Sequence, residues 1–283
     1  VLSGRKGDSA GSGFDCAVPA NLTMLSTPTQ GAQILSSRGW RAKIRAVVEV
    51  SFVLALAHVA CRAFKQFTEL GRAESAAHGN FSPGWTMAMV AGAVVLLRRR
   101  SWGAYGLVLF AWPQELRGAM TNATSRLRVS EIGGWALLGA WLLACLGVGL
   151  HGRSLGQLAW LVAWQFFATA IGEEVFFRGY VQTRLNGVFS RSCSVRGVLC
   201  GWGLMVMAVL FGALHAFNTV DYFGGRFTFA WSLAVGTAGT GLLFGWVREA
   251  TGSVAPGIVL HFMNNLTWIT LLPEISERWI GRP

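Results

Sequence analysis

WLVAWQFFATAIGEEVFFRGY, residues 160–180, runs from an uncharged apolar segment into Glu173, Glu174 and Arg178. The block from Leu155 to Phe177 is long enough to cross a hydrocarbon core of about 30 Å as a helix. An ionisable side chain inside such a helix costs about 2.5–3.5 kcal/mol on insertion scales, so it is retained for a reason. Three charges at the end of one apolar block therefore need either a partner or a task.

The rest of the chain has the same apolar character. Of 283 residues, 53% are hydrophobic and only 13% charged, against about 25% charged in a soluble domain. This composition implies an integral membrane protein. The net charge of +11 argues for lipid and topology rather than nucleic acid. The basic residues lie between apolar blocks, where they orient helices and meet anionic headgroups, and form no single patch interleaved with aromatics. Only Lys6, Lys43 and Lys65 among the basic residues are lysines, and alanine and glycine are abundant; both features point to a GC-rich, bacterial genome. The cysteines Cys16, Cys61, Cys145, Cys193 and Cys200 show no CxxC spacing. They suggest neither a zinc ribbon nor a disulfide framework, and Cys61 and Cys145 fit small packing positions.

Residues 1–37 are rich in Gly, Ser, Thr and Pro without periodicity and read as a disordered tail. The start is expected either at Val1, as an alternative start, or at Met24. Apolar blocks follow at about 44–64, 83–97, 132–150, 155–177, 195–217, 227–247 and 252–272, and a shorter one at 102–112 closes at Pro113. The fold class expected is all-α, a polytopic membrane bundle of about seven or eight transmembrane helices. Residues 38–150 hold the N-terminal helices, 151–275 a catalytic transmembrane core and 276–283 a C-terminal tail. Seven spans put 17 of the 24 Lys/Arg residues on the side of the N-terminus, whereas eight split them 13 to 11. The positive-inside rule then favours seven spans with the N-terminus cytoplasmic, in a bacterial inner membrane.

The polar residues of the later blocks are Glu173, Glu174, Arg178, His215, His261 and Asn265. Glu174 and Arg178 are four apart and share a helix face, so the arginine can neutralise this carboxylate. Glu173 is turned about 100° away and is the carboxylate left for other work. In an apolar cavity a free carboxylate is a better base. His261 and Asn265 are also four apart on one face, with Asn264 off it. Taken singly, each is open to a plainer reading: an interfacial ion pair, an interfacial histidine, or interhelical hydrogen bonding. His58, a lone histidine with no evident polar partner, and the loop residues His78 and His151 take that plainer reading.

No HExxH occurs, no GxSG sits in an apolar block, and GxGD is absent. These absences remove the zincin, rhomboid and membrane aspartyl patterns and leave Glu, His and Asn as the acid–base inventory. "EEVFFR" (173–178), "FGALH" (211–215) and "HFMNN" (261–265) form the ordered set EExxxR, FxxxH and HxxxN. The set resembles the CPBP family of CAAX-processing and bacteriocin-processing proteins, also called Abi, which are glutamate intramembrane proteases. "FGWVREATGSVAPGIVLH" resembles that family's approach to its last motif, and the likeness covers about residues 155–272. The resemblance implies that Glu173 activates water and His215 orients or shares it. It further implies that His261 and Asn265 stabilise the oxyanion and that Glu174 and Arg178 form a supporting pair. No metal or other cofactor is implied.

Two other readings use the same residues. Glu173, His215 and His261 make a His₂/carboxylate set that suits a catalytic zinc with an open position, although no outer carboxylate is evident in the sequence for either histidine. Alternatively, the polar cluster only ties helices together in an immunity-type or scaffold protein. The expected partners are a membrane-associated peptide or protein substrate and the lipid bilayer, with no nucleic acid.

Overall fold

A computed structural model describes residues 39–76, 86–93, 102–107, 139–148, 154–195 and 198–270. The tail 1–37, the C-terminal segment 276–283, His78, His151 and parts of the expected blocks at 83–97 and 102–112 lie outside these residues, as do both ends of the block at 132–150. The helices are α1 (Trp40–Phe67), α2 (Glu69–Ala76), α3 (86–93), α4 (Gly139–Val148), α5 (Leu155–Asn186), α6 (Trp202–Ala216), α7 (Trp231–Thr251) and α8 (Ala255–Thr270).

Among the described residues, three helical segments are long and apolar enough to cross a membrane: Trp40–Phe67, Leu155–Asn186 and Trp202–Thr219. Helix α1 shows why the bilayer is the solvent. Ala46, Val50, Leu54, Ala57 and Cys61 recur every three or four residues and are buried, forming one stripe. The opposite face is no more polar: Val48, Phe52, Leu56 and Val59 are all exposed. A helix apolar on its exposed face needs lipid around it.

Helix α5 starts at a capping box. Ser154 Oγ accepts from the Gln157 N–H at 3.2 Å, and Gln157 Oε1 accepts from the Ser154 N–H at 2.8 Å. These bonds satisfy two donors that the first turn would otherwise leave orphaned. The helix then widens into π turns over Trp164–Ile171 and Val175–Val181, on either side of the α-helical Gly172–Glu174. It continues to Asn186, so Glu173 and Glu174 stand in its interior rather than at its end, a correction to the sequence reading. Glu174 is accommodated there by Arg178 on the same helix and His261 on α8.

A small hairpin interrupts the otherwise helical architecture of the described residues. Strands β1 (Arg191–Val195) and β2 (Val198–Gly201) form an antiparallel hairpin. The apolar run expected as one helix from Val195 thus begins as a strand and becomes helical at Trp202. Valine at 195 and 198 suits a pleated, half-buried surface.

Helices α6 and α7 approach closely through small residues. A Cβ at Gly212 would lie 2.4 Å from the Ala234 carbonyl oxygen, so only glycine admits this contact, as in membrane helix pairs generally. Helix α1 joins the same core. Arg184 donates to both oxygens of Glu49, from Nε to Oε1 at 3.2 Å and to Oε2 at 3.0 Å and from Nη2 to Oε2 at 2.9 Å, and Tyr180 Oη donates to Oε1 at 3.1 Å. Glu49 lies in the first apolar block, and the sequence reading passed over it. His58 also has a partner after all, with Nε2 3.1 Å from the Tyr222 hydroxyl. Asp221 has a structural task. It pairs with Arg226 through two backbone hydrogen bonds and an ion pair of 3.0 Å, closing the turn between α6 and α7. The Gly224 N–H and the Arg226 side chain hold its carboxyl below the usual carboxylate range.

Candidate active site

Helix α5 supplies Glu173, Glu174 and Arg178, α6 supplies His215, and α8 supplies His261 and Asn265. Glu174 and Arg178 are fully buried, and Arg178 Nη1 donates to Glu174 Oε1 at 2.8 Å. The i,i+4 pairing expected from the sequence is therefore formed. Burying a cation and an anion together is costly, and here Arg178 Nε and Glu174 Oε2 have no hydrogen-bond partner among the described residues. Arg178 Nη2 donates to the Gly241 carbonyl at 3.4 Å, and the guanidinium lies 4.4 Å above the Phe211 ring and 5.4 Å from that of Phe244. Two aromatic faces thus replace part of its hydration.

The same Glu174 oxygen takes a second bond. His261 Nδ1 donates to Oε1 at 2.8 Å. This is the outer carboxylate that the sequence did not reveal, because Glu174 and His261 are 87 positions apart. Phe244 stacks on the His261 ring at 5.4 Å and 28°. The imidazole is thereby fixed both in plane and in tautomer, with Nδ1 carrying a proton and Nε2 facing away from Glu174. Gly257, one turn before His261, makes room for the carboxylate: a Cβ there would meet Glu174 Oε2 at 2.8 Å.

His215 is held by a different acceptor. Its Nδ1 lies 2.8 Å from the Phe211 carbonyl oxygen. A carbonyl can only accept, so Nδ1 is the protonated nitrogen and Nε2 presents a lone pair in the neutral ring. Both imidazoles then turn Nε2 toward one atom. Glu173 Oε2 stands 3.9 Å from His215 Nε2 and 3.8 Å from His261 Nε2. These separations are too long for direct hydrogen bonds. Oε2 is buried and has no hydrogen-bond partner among the described residues.

Asn265 stands one turn beyond His261, and its Nδ2 donates to Gln165 Oε1 at 3.1 Å. The described hydrogen bonds thus tie it to α5 rather than to Glu173 or either histidine. Asn264 Nδ2 donates to Asn265 Oδ1 at 3.4 Å. The sequence reading missed Gln165, Phe211 as a ring partner, Phe244 and Gly257. Gln165 did carry a signal, as a polar residue in the apolar run WQFF. The others carried none, since their importance lies in which neighbour they touch.

Among the described residues, no three His, Cys, Asp or Glu side chains form a metal-holding group. A cavity of about 490 Å³ opens elsewhere, lined by Arg62, Lys65, Arg72, Asp221 and Tyr222. None of the motif residues lines it.

Residues 155–267 match the family model described as Type II CAAX prenyl endopeptidase Rce1-like. The matched stretch runs from the start of α5 into α8 and contains Glu173, Glu174, Arg178, His215, His261 and Asn265. This stretch is similar to the CAAX-protease family that the three motifs resemble. No curated protein and no solved structure matches the chain.

Proposed function

We propose that the protein is an intramembrane endopeptidase that hydrolyses a peptide bond of a membrane-associated peptide or protein, with Glu173 as the base that activates water. The observation that carries this reading is the convergence of two imidazole Nε2 atoms, at 3.9 and 3.8 Å, on the unpartnered Glu173 Oε2. With His215 neutral, its Nε2 and Glu173 Oε2 are both acceptors, and one water supplies an O–H bond to each; a proton on His261 Nε2 then points a donor at the same place.

Glu173 takes one proton from this water as its oxygen adds to the scissile carbonyl carbon. His215, fixed through Nδ1, accepts the water's other O–H at Nε2 and sets its direction. The tetrahedral oxyanion needs donors: His261 when Nε2 carries a proton, and the Asn265 amide. Glu173 then returns its proton to the leaving amine, so atoms and charge balance over the cycle. Glu174 orients His261, and Arg178 neutralises Glu174.

The family match supports a peptidase in a membrane setting. The zinc reading gains one observation, the Glu174–His261 bond, since metal-bound histidines commonly have such a carboxylate. The test of the main reading is Glu173→Gln in purified protein. We expect a loss of cleavage of about 10²–10⁴-fold, the usual share of a general base, with thermal stability retained. Cleavage at the wild-type rate would end the proposal. A fall in stability that matches the loss of activity would favour a helix-tying role for the cluster.

A further inference from the structure

The hairpin between α5 and α6 brings together two cysteines that sequence spacing left apart. In the β1–β2 ladder Cys193 is the direct cross-strand partner of Cys200, and both are thiols. Directly opposed residues on antiparallel strands point to the same face, with Cα atoms about 4.5–5.5 Å apart. That spacing falls within the range a disulfide spans, about 4.4–6.8 Å. Cys200 is buried, whereas Cys193 is half-buried, so an oxidant in solution reaches Cys193 first.

We infer that Cys193 and Cys200 are the two halves of a reversible cross-strand disulfide formed by a peroxide oxidant. The Cys193 sulfur attacks the peroxide oxygen, giving a sulfenic acid and one water from hydrogen peroxide. The Cys200 sulfur then displaces the sulfenic oxygen as a second water, forming the S–S bond. Two thiols are oxidised and one peroxide is reduced, and a dithiol reductant restores both thiols by exchange. Burial, followed by the nearby Glu249 carboxylate, pushes the Cys200 thiol up, consistent with Cys200 as the resolving partner. The hairpin that would be locked also braces α7: Arg191 pairs with Glu249 at 3.0 Å, and Trp246 Nε1 donates to the Val195 carbonyl at 3.3 Å. Helix α7 carries Phe244, the ring stacked on His261.

The sequence supplies a clean assay, because Arg196 lies between the two cysteines and trypsin separates them. Detergent-solubilised full-length protein is treated with hydrogen peroxide, alkylated, and digested without reduction. We expect one linked species joining the Cys193 and Cys200 peptides, lighter by two hydrogen atoms than their sum and split by dithiothreitol. Cys61 and Cys145, buried in helices, should remain alkylatable after unfolding. A Cys193→Ser chain should fold, give no linked species, and lose any rise in melting temperature that peroxide confers on the wild type. Separate, over-oxidised peptides would overturn the inference, as would a cross-link between two chains or a peroxide-induced rise that persists in Cys193→Ser.

Discussion

Arg178 shows how much one side chain can depend on its neighbours. It is fully buried, bonded to Glu174 and covered by Phe211 and Phe244. Removing one member of a buried ion pair leaves the other uncompensated, at a cost of about 3–5 kcal/mol. Arg178→Met should therefore destabilise the protein by about that amount, because the Glu174 charge keeps only His261 as its partner. Adding Glu174→Gln to the same chain should recover part of the loss, since a neutral amide replaces the stranded carboxylate. Thermal melts of the two variants in detergent check both outcomes. A double variant no more stable than the single one would contradict this account. Activity should not return with stability, because His261 would then be held by an amide instead of a carboxylate.

At the scale of elements, the site depends on how closely α5, α6 and α8 approach. The π turns that flank Gly172–Glu174 widen α5 at the position from which its two carboxylates leave the helix in different directions, and such turns recur at functional sites. Helix α8 comes near enough to bond Glu174 only because residue 257 has no side chain. Gly257→Ala should displace the Glu174 carboxylate, loosen His261 and lower the cleavage rate at least tenfold, about 1.4 kcal/mol in the barrier. Gly239→Ala on α7 is the control. No atom lies within 4 Å of the Cβ it would add, and alanine favours helix over glycine by about 1 kcal/mol. It should leave activity intact and the melting temperature equal or higher. Equal activity of the two variants would show that the approach of α8 to Glu174 is not needed.

For the whole molecule, one core cluster holds Ala46, Val50 and Leu54 of α1 together with Phe176, Tyr180 and Leu185 of α5 and Met207 and Phe211 of α6. The N-terminal helix is therefore part of the body that holds the site, although none of the three motifs lies on it. Chelation separates the chemical readings at this scale. With Glu173 as the base, cleavage by intact protein in a bilayer should be unchanged by a strong chelator, and purified protein should carry no stoichiometric zinc. Loss of activity on chelation and its return with zinc would replace the glutamate reading with the metal one. The outward faces of α1 and α6, with Phe52 and Val209 exposed, require lipid or detergent throughout these measurements.

The membrane class, the helical character and the identity of the motif residues were legible in the sequence. Hydrophobic length and helical periodicity are local properties that a bilayer amplifies by excluding unpaired charge. The Glu174–Arg178 pair was legible for the same reason, since four residues bring two side chains onto one face. Three features were set only by tertiary packing. Glu174 serves His261 as well as Arg178, Glu173 Oε2 is faced by two imidazoles, and Glu49 anchors Arg184 across 135 positions. Each depends on which helices touch and at what depth. The hairpin at 191–201 and the continuation of α5 past its charges escaped the sequence reading for a related reason. Apolar runs do not distinguish strand from helix, and a charge inside a helix looks like its end until the partners on other helices are seen.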